Sequence, residues 1–105
     1  MFARRKRIPA GVLAGRFPRQ TVIAHFSFRF GNNGTKHNRF AVIVGAKFEK
    51  SSAKRHYWKR QIMEALRSWP ELGLDVAVSP LKEAKKLPGR EAAEPIREAF
   101  KKITQ

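Results

Sequence analysis

The sequence predicts a small α/β domain, a two-layer sandwich in which helices cover a sheet of three or slightly more strands. Three observations predict it. Apolar and polar residues alternate over 21–30, apolar residues run almost unbroken over 39–48, and from about 51 to 69 they recur at helical spacing. A further alternating stretch and a further helical one follow, giving the order strand, strand, helix, strand, helix. The 105 residues suit one domain. Eight phenylalanines and two tryptophans supply a core.

Taken in order, residues 1–20 are basic and punctuated by Pro9, Gly11, Gly15 and Pro18, and read as an arm with at most one helical turn. The folded domain is expected over 21–105. In "TVIAHFSFRF" (21–30), Val22, Ala24, Phe26, Phe28 and Phe30 point one way and Ile23, His25, Ser27 and Arg29 the other, as in a half-buried strand. "GNNGTKHN" (31–38) has the Gly and Asn density of a hairpin loop. "RFAVIVGAKF" (39–48), apolar on both faces for much of its length, reads as a central strand.

Trp58, Ile62, Ala65 and Leu66 then fall on one stripe of an amphipathic helix. Ser51 or Ser52 can cap it, because a hydroxyl accepts a bond from an unpaired N–H of the first turn. Pro70 and Gly73 mark its end. "LGLDVAVS" (72–79) is a third strand with Leu74, Val76 and Val78 on one side, and "PLKEAKKLPG" (80–89) a short helix or loop. "REAAEPIREAFKKI" (90–103) closes the chain as a helix with Ile96, Phe100 and Ile103 on one stripe. Proline is tolerated only in the first turn, so the regular part is expected to begin close to Pro95.

Charge narrows the function. Twenty-three Lys and Arg against eight Asp and Glu leave a formal +15, a surplus that calls for an anionic partner. No segment approaches the roughly 20 apolar residues of a membrane span. The apolar run "GVLAG" after the basic start is too short for a secretory signal, and the chain has no cysteine for disulfides or thiolate metal sites. Nucleic acid in the cytoplasm is therefore the expected counter-charge.

Catalysis by the chain alone has little support. His25, His37 and His56 lie on a strand, in a loop and on a helix, with no HxH or HxxxH spacing to share a metal. Glu64, Glu71 and Asp75 form no recognisable pair, and Glu64 reads as a charge partner for Arg60 and Arg67. "GNNGTKHN" lacks the ending of a phosphate-binding loop. No catalytic and no metal-ligating residue is expected.

The basic stretch "KSSAKRHYWKR" (50–60) is more informative. A merely solvated charged face would intersperse acids, yet residues 50–63 contain none. Uncompensated cations at a helix N-terminus add to the pull of its dipole on phosphate. By helical angle Arg55 projects within the arc of Trp58, Ile62 and Leu66, at the mouth of the sheet. Phe26, Phe28 and Phe30 have two readings, core or a stacking platform for single-stranded nucleotides. In so small a domain at least two of them are expected in the core.

"RFAVIVGAKFEKSSAKRHYWKRQIMEALR" (39–67) followed by "LGLDVAVSP" (72–80) resembles the protein subunit of bacterial ribonuclease P. The shared frame is Arg39 opening a strand, Lys47 after it, a basic Ser-containing turn, a helix with Arg55, Lys59 and Arg60, and a G-x-D-V-x-V strand. The family's RNR-x-KR core reads "RHYWKR" here, with His56 and Tyr57 in place of Asn and Arg. Residues 20–103 follow the family pattern for most of their length, whereas the first twenty fit it poorly.

The resemblance implies a fold like the second domain of ribosomal protein S5, a small mixed sheet with a left-handed βαβ crossover. It implies that the protein binds the catalytic RNA of ribonuclease P and assists removal of the 5′ leader from precursor tRNA. Mg²⁺ and the chemistry would then belong to the RNA, with no cofactor on the protein. By the same resemblance Lys47, Lys50, Ser51, Lys54, Arg55, Lys59 and Arg60 would contact RNA. His56 and Tyr57 are the positions where those contacts would differ from the family's, a Tyr stacking on a base where Arg would grip a phosphate. The sheet face bearing Phe26, Phe28 and Phe30 would receive the leader. The alternative is a small ribosomal or ribosome-associated RNA-binding protein with no part in cleavage. A free-standing nuclease lacks paired acids or histidines, and a DNA-binding helix-turn-helix lacks its first helix.

Overall fold

A computed structural model of the chain describes residues 7–9, 11, 17–86 and 88–104. Most of the basic arm expected over 1–20 lies outside the described residues. Arg19 and Gln20 belong to the first strand, and Arg7 forms a parallel bridge to Phe40.

The alternating stretch at 21–30 is a hairpin, not one strand. β1 (Arg19–Ile23) and β2 (Phe26–Asn32) pair antiparallel with Ile23 opposite Phe26, so Ala24 and His25 alone make the turn. Their φ angles are 48° and 74°, positive at both central positions as a type I′ hairpin turn requires. Neither glycine nor asparagine marks the site, so the alternation conceals it. The reversal also changes the faces. Residues opposite each other across the ladder share a face, so Thr21 and Ile23 join Phe28 and Phe26, and Val22 turns to the other side, 58% exposed.

β3 (Arg39–Val42) and β4 (Leu74–Pro80) complete a sheet of order β1-β2-β4-β3, with β2–β4 antiparallel and β3–β4 parallel. "GNNGTKHN" is therefore no hairpin loop, because β4 lies between the two strands it joins. The central strand is β4, buried from Leu74 to Val78, and β3 is an edge. The apolar run predicted as a central strand to residue 48 ends early, because the backbone turns after Gly45. Ile8 covers part of the β3 edge, its N–H donating to the Phe40 carbonyl at 3.2 Å.

Helix α1 (Ser52–Arg67) makes the crossover between β3 and β4, and a 3₁₀ helix (Lys82–Lys86) leads on to α2 (Gly89–Ile103). The stripe Trp58, Ile62, Ala65 and Leu66 is buried as its spacing predicts. It packs with Ile96, Ala99 and Ile103 of α2 over the sheet residues Phe26, Phe28, Phe30, Phe40, Val76 and Val78. Each large side chain so buried contributes about 1.5–3 kcal/mol. Trp69 joins the layers: its indole donates to the Ile96 carbonyl at 2.7 Å, and its ring stands 6.1 Å from Phe28 and 6.0 Å from Phe40. Pro95 lies inside α2, which begins at Gly89 and not near the proline as expected. The packing of Ile96 and Ala99 outweighs the hydrogen bond that Pro95 cannot donate.

At the far end of the sheet a buried asparagine ties two loops together. The Asn38 amide donates to the Pro70 carbonyl at 2.7 Å, and its oxygen accepts from the N–H groups of Leu72 and Leu74 at 2.9 and 3.1 Å. Gly73 beside it has φ 68°, and a Cβ there would meet the Thr35 carbonyl oxygen at 2.3 Å, so only glycine fits. Arg39 locks the same end through paired bonds of 2.7 Å to both oxygens of Asp75. That carboxylate, hydrogen-bonded to the guanidinium, raises the Arg39 pKa above its ordinary value.

Candidate nucleic-acid interface

The site is built where β3 gives way to α1. The Ile43 N–H still bonds the Val78 carbonyl at 2.9 Å, and then the Gly45 carbonyl accepts from Phe48 and Glu49 at 3.1 and 3.2 Å, closing a turn. Phe48 anchors that turn edge-on against Trp58, 5.2 Å between ring centres. Ser51 caps α1, its hydroxyl accepting from the Lys54 N–H at 3.3 Å. The first helical turn contains no acid, so within α1 itself no carboxylate offsets the positive end of the helix dipole.

Two residues hold the turn from within. One Arg55 nitrogen donates to the carbonyls of both Glu49 and Lys50 at 2.9 Å, which leaves the side chain half-buried at the mouth of the sheet, where its helical angle places it. Glu49, only 9% exposed, accepts the Ser51 N–H at 3.2 Å and pairs with Lys85 of the 3₁₀ helix at 3.4 Å. The Ser51 hydrogen bond, reinforced by Lys85 and Lys54, holds the Glu49 carboxyl below its ordinary range against the opposing effect of desolvation. It is an internal counter-charge at neutral pH.

Around this frame Lys47, Lys50, Lys54, His56, Tyr57, Lys59 and Arg60 are all exposed. None of the five cations among them forms a salt bridge among the described residues, and Lys54 acts on Glu49 only through the longer-range attraction that helps keep that carboxylate ionised. Glu64 pairs with Arg67 at 2.7 Å. At about 100° per residue, Lys54 and Tyr57 fall on one flank of the buried stripe, His56 and Lys59 on the other, and Arg60 on the back. The structure thus gathers Lys47, Lys50 and Lys54 at the helix N-terminus and sets Lys59 and Arg60 one turn further along and around it.

Phe26, Phe28 and Phe30 form no exposed platform. They are 0%, 0% and 5% exposed and lie in the core beneath the helices, packed with Phe40, Trp58 and Trp69, because a domain this small must draw on its aromatics to fill its interior. The opposite face of β2 carries Ser27 and Arg29, both half-exposed, with Arg29 lying over the Phe17 ring at 5.6 Å. Sequence reasoning passed over Glu49 and the lysines of the 3₁₀ helix. An isolated acid next to an acid-free basic run is the signal that marks Glu49.

Among the described residues no group of three or more His, Asp or Glu could hold a metal ion, and no helix is long and apolar enough to cross a membrane. The exposed lysines and Arg60 around the capped N-terminus of α1 make a surface that can bind an extended anion.

A family model described as Ribonuclease P matches residues 13–104. The chain belongs to the Ribonuclease P family. The ribonuclease P protein of Staphylococcus aureus shares the fold with a TM-score of 0.80 and 20% identity, over 93% of this chain and 94% of its own. That of Thermotoga maritima gives a TM-score of 0.69 and 23% identity, over 80% of this chain and 82% of its own. No curated protein sequence matches at a significant level. The mixed four-stranded sheet with two helices packed on it is thus the architecture of ribonuclease P proteins. The cationic turn and crossover helix lie wholly within the segment matched to the Ribonuclease P family.

Proposed function

We propose that this chain is the protein subunit of ribonuclease P, that it grips the catalytic RNA through the 45–50 turn and α1, and that it assists removal of the 5′ leader from precursor tRNA in the cytoplasm. The observation that carries this reading is the set of five exposed cations that form no salt bridge among the described residues, built on a capped helix N-terminus in a chain of this family. Lysines there act as point charges on phosphate oxygens and release condensed counterions when RNA binds. Ser51, His56 and Tyr57 stand among them, and Tyr57, 46% exposed, offers a ring to a splayed base. The leader lies along the polar face of β2, over Ser27 and Arg29, and not over the buried phenylalanines. Mg²⁺ and the bond-breaking step belong to the RNA; the chain supplies neutralisation and orientation.

The test is cleavage of a precursor tRNA by the cognate catalytic RNA, titrated with Mg²⁺, with and without the protein. The protein should shift the Mg²⁺ requirement to lower concentration and should not cleave precursor tRNA alone. An unshifted Mg²⁺ titration with protein in excess refutes the proposal. Cleavage by the protein alone would make it a free-standing nuclease.

A further inference from the structure

The second basic segment of the fold has no role in the reading above. The 3₁₀ helix Lys82–Lys86 buries only Ala84, at 0% exposure, and leaves Lys82, Lys85 and Lys86 exposed. Because β3 and β4 run parallel, the turn that follows β3 and the 3₁₀ helix that follows β4 leave the sheet at the same end. The Glu49–Lys85 pair at 3.4 Å shows that the two segments touch. With three residues per turn, side chains three apart eclipse each other, so Lys82 lies on the same side as Lys85, the side that meets the turn. Neither Lys82 nor Lys86 forms a salt bridge among the described residues.

We infer that the 3₁₀ helix is a second RNA-contacting element, with Lys82 and Lys86 binding backbone phosphates of the same RNA held at the N-terminus of α1. The inference rests on the function proposed above and extends its footprint. Lys47, Lys50, Lys54 and Lys82 then form one cationic rim across the end of the sheet, and Lys86 flanks it about 120° round the 3₁₀ helix, on the side of Glu83. The buried Glu49 forms its salt bridge with Lys85 and sets the spacing between the two halves of the rim. The partner this chemistry fits is a phosphate backbone read without base specificity. Flexible ammonium groups neutralise phosphates and carry no sequence information.

The experiment measures binding of the full chain to its cognate ribonuclease P RNA over a series of KCl concentrations. Lys82→Ala/Lys86→Ala removes two charges from the rim and its flank, and Lys36→Glu lowers the net charge by two from the loop at the opposite end. Lys54→Ala/Lys59→Ala tests the α1 surface itself. The rim variant should weaken binding by roughly fivefold to thirtyfold and make the salt dependence shallower by about one to two ions, while Lys36→Glu stays near the parent. Unchanged binding in the rim variant, with clear loss in the α1 variant, overturns the inference and leaves the proposed function standing. Equal loss in the rim variant and Lys36→Glu also overturns it, since net charge alone would then explain both. If the rim and α1 variants both bind like the parent, the proposed interface fails, and this extension with it.

Discussion

Glu49 shows how one acid can serve a basic surface. Its carboxylate closes on the Ser51 N–H while its second oxygen holds Lys85, so the capped end of α1 and the 3₁₀ helix share one anchor. Because its pKa in the fold lies below the ordinary value, its stabilisation is fully present above the unfolded value of about 4.3. It is lost as pH falls through the depressed folded value. Glu49→Gln should therefore melt below the parent at neutral pH, and the two melting temperatures should converge under acid conditions; a gap that does not depend on pH would refute the role. A serine cap at 51 or 52 was legible in the sequence, since a hydroxyl before an amphipathic run is a local signal, and the structure selects Ser51. Glu49 was not, because its charge partner comes from another element. Arg39 and Asp75 were likewise visible as separate family positions, but their bidentate pairing needs the parallel register of β3 on β4.

Among the elements, α1 was legible at every buried position, because all of its periodicity is written within one turn-by-turn stripe. The sheet was legible only as strands. The β2–β4 and β3–β4 pairings join distant segments, and the tight β1–β2 hairpin is made by Ala24 and His25, neither of them a glycine or asparagine. The leader-facing assignment of Phe26, Phe28 and Phe30 fails for the same reason. A period of two tells that they share a face, not which face the helices cover. In α2 the element and the residue disagree, since Pro95 sits in its interior. Proline there removes an N–H and crowds the carbonyl one turn back, a cost near 3 kcal/mol that its stiffening of the unfolded chain offsets only partly. Pro95→Ala should raise stability by about 1–2 kcal/mol in urea denaturation, and a loss would mean that the proline is shaped to its site.

For the whole molecule, the formal +15 is the dominant constraint. The exposed ion pairs, such as Arg67 with Glu64, contribute little, so the fold works against its own repulsion. Added KCl should therefore raise the melting temperature of the free protein, by about 4 °C if screening recovers about 1 kcal/mol. A fall would mean that attractive pairs outweigh the repulsion. The strand order β1-β2-β4-β3 carries a consequence for how the chain is born. It emerges from the ribosome N-terminus first, yet the strand on which both β2 and β3 pair runs only from Leu74 to Pro80. Until that segment is free, the newly made aromatic face of the β1–β2 hairpin has no sheet to complete. The nascent protein spends most of its synthesis as a cationic, partly apolar chain beside ribosomal RNA, and closes only when its middle strand arrives late.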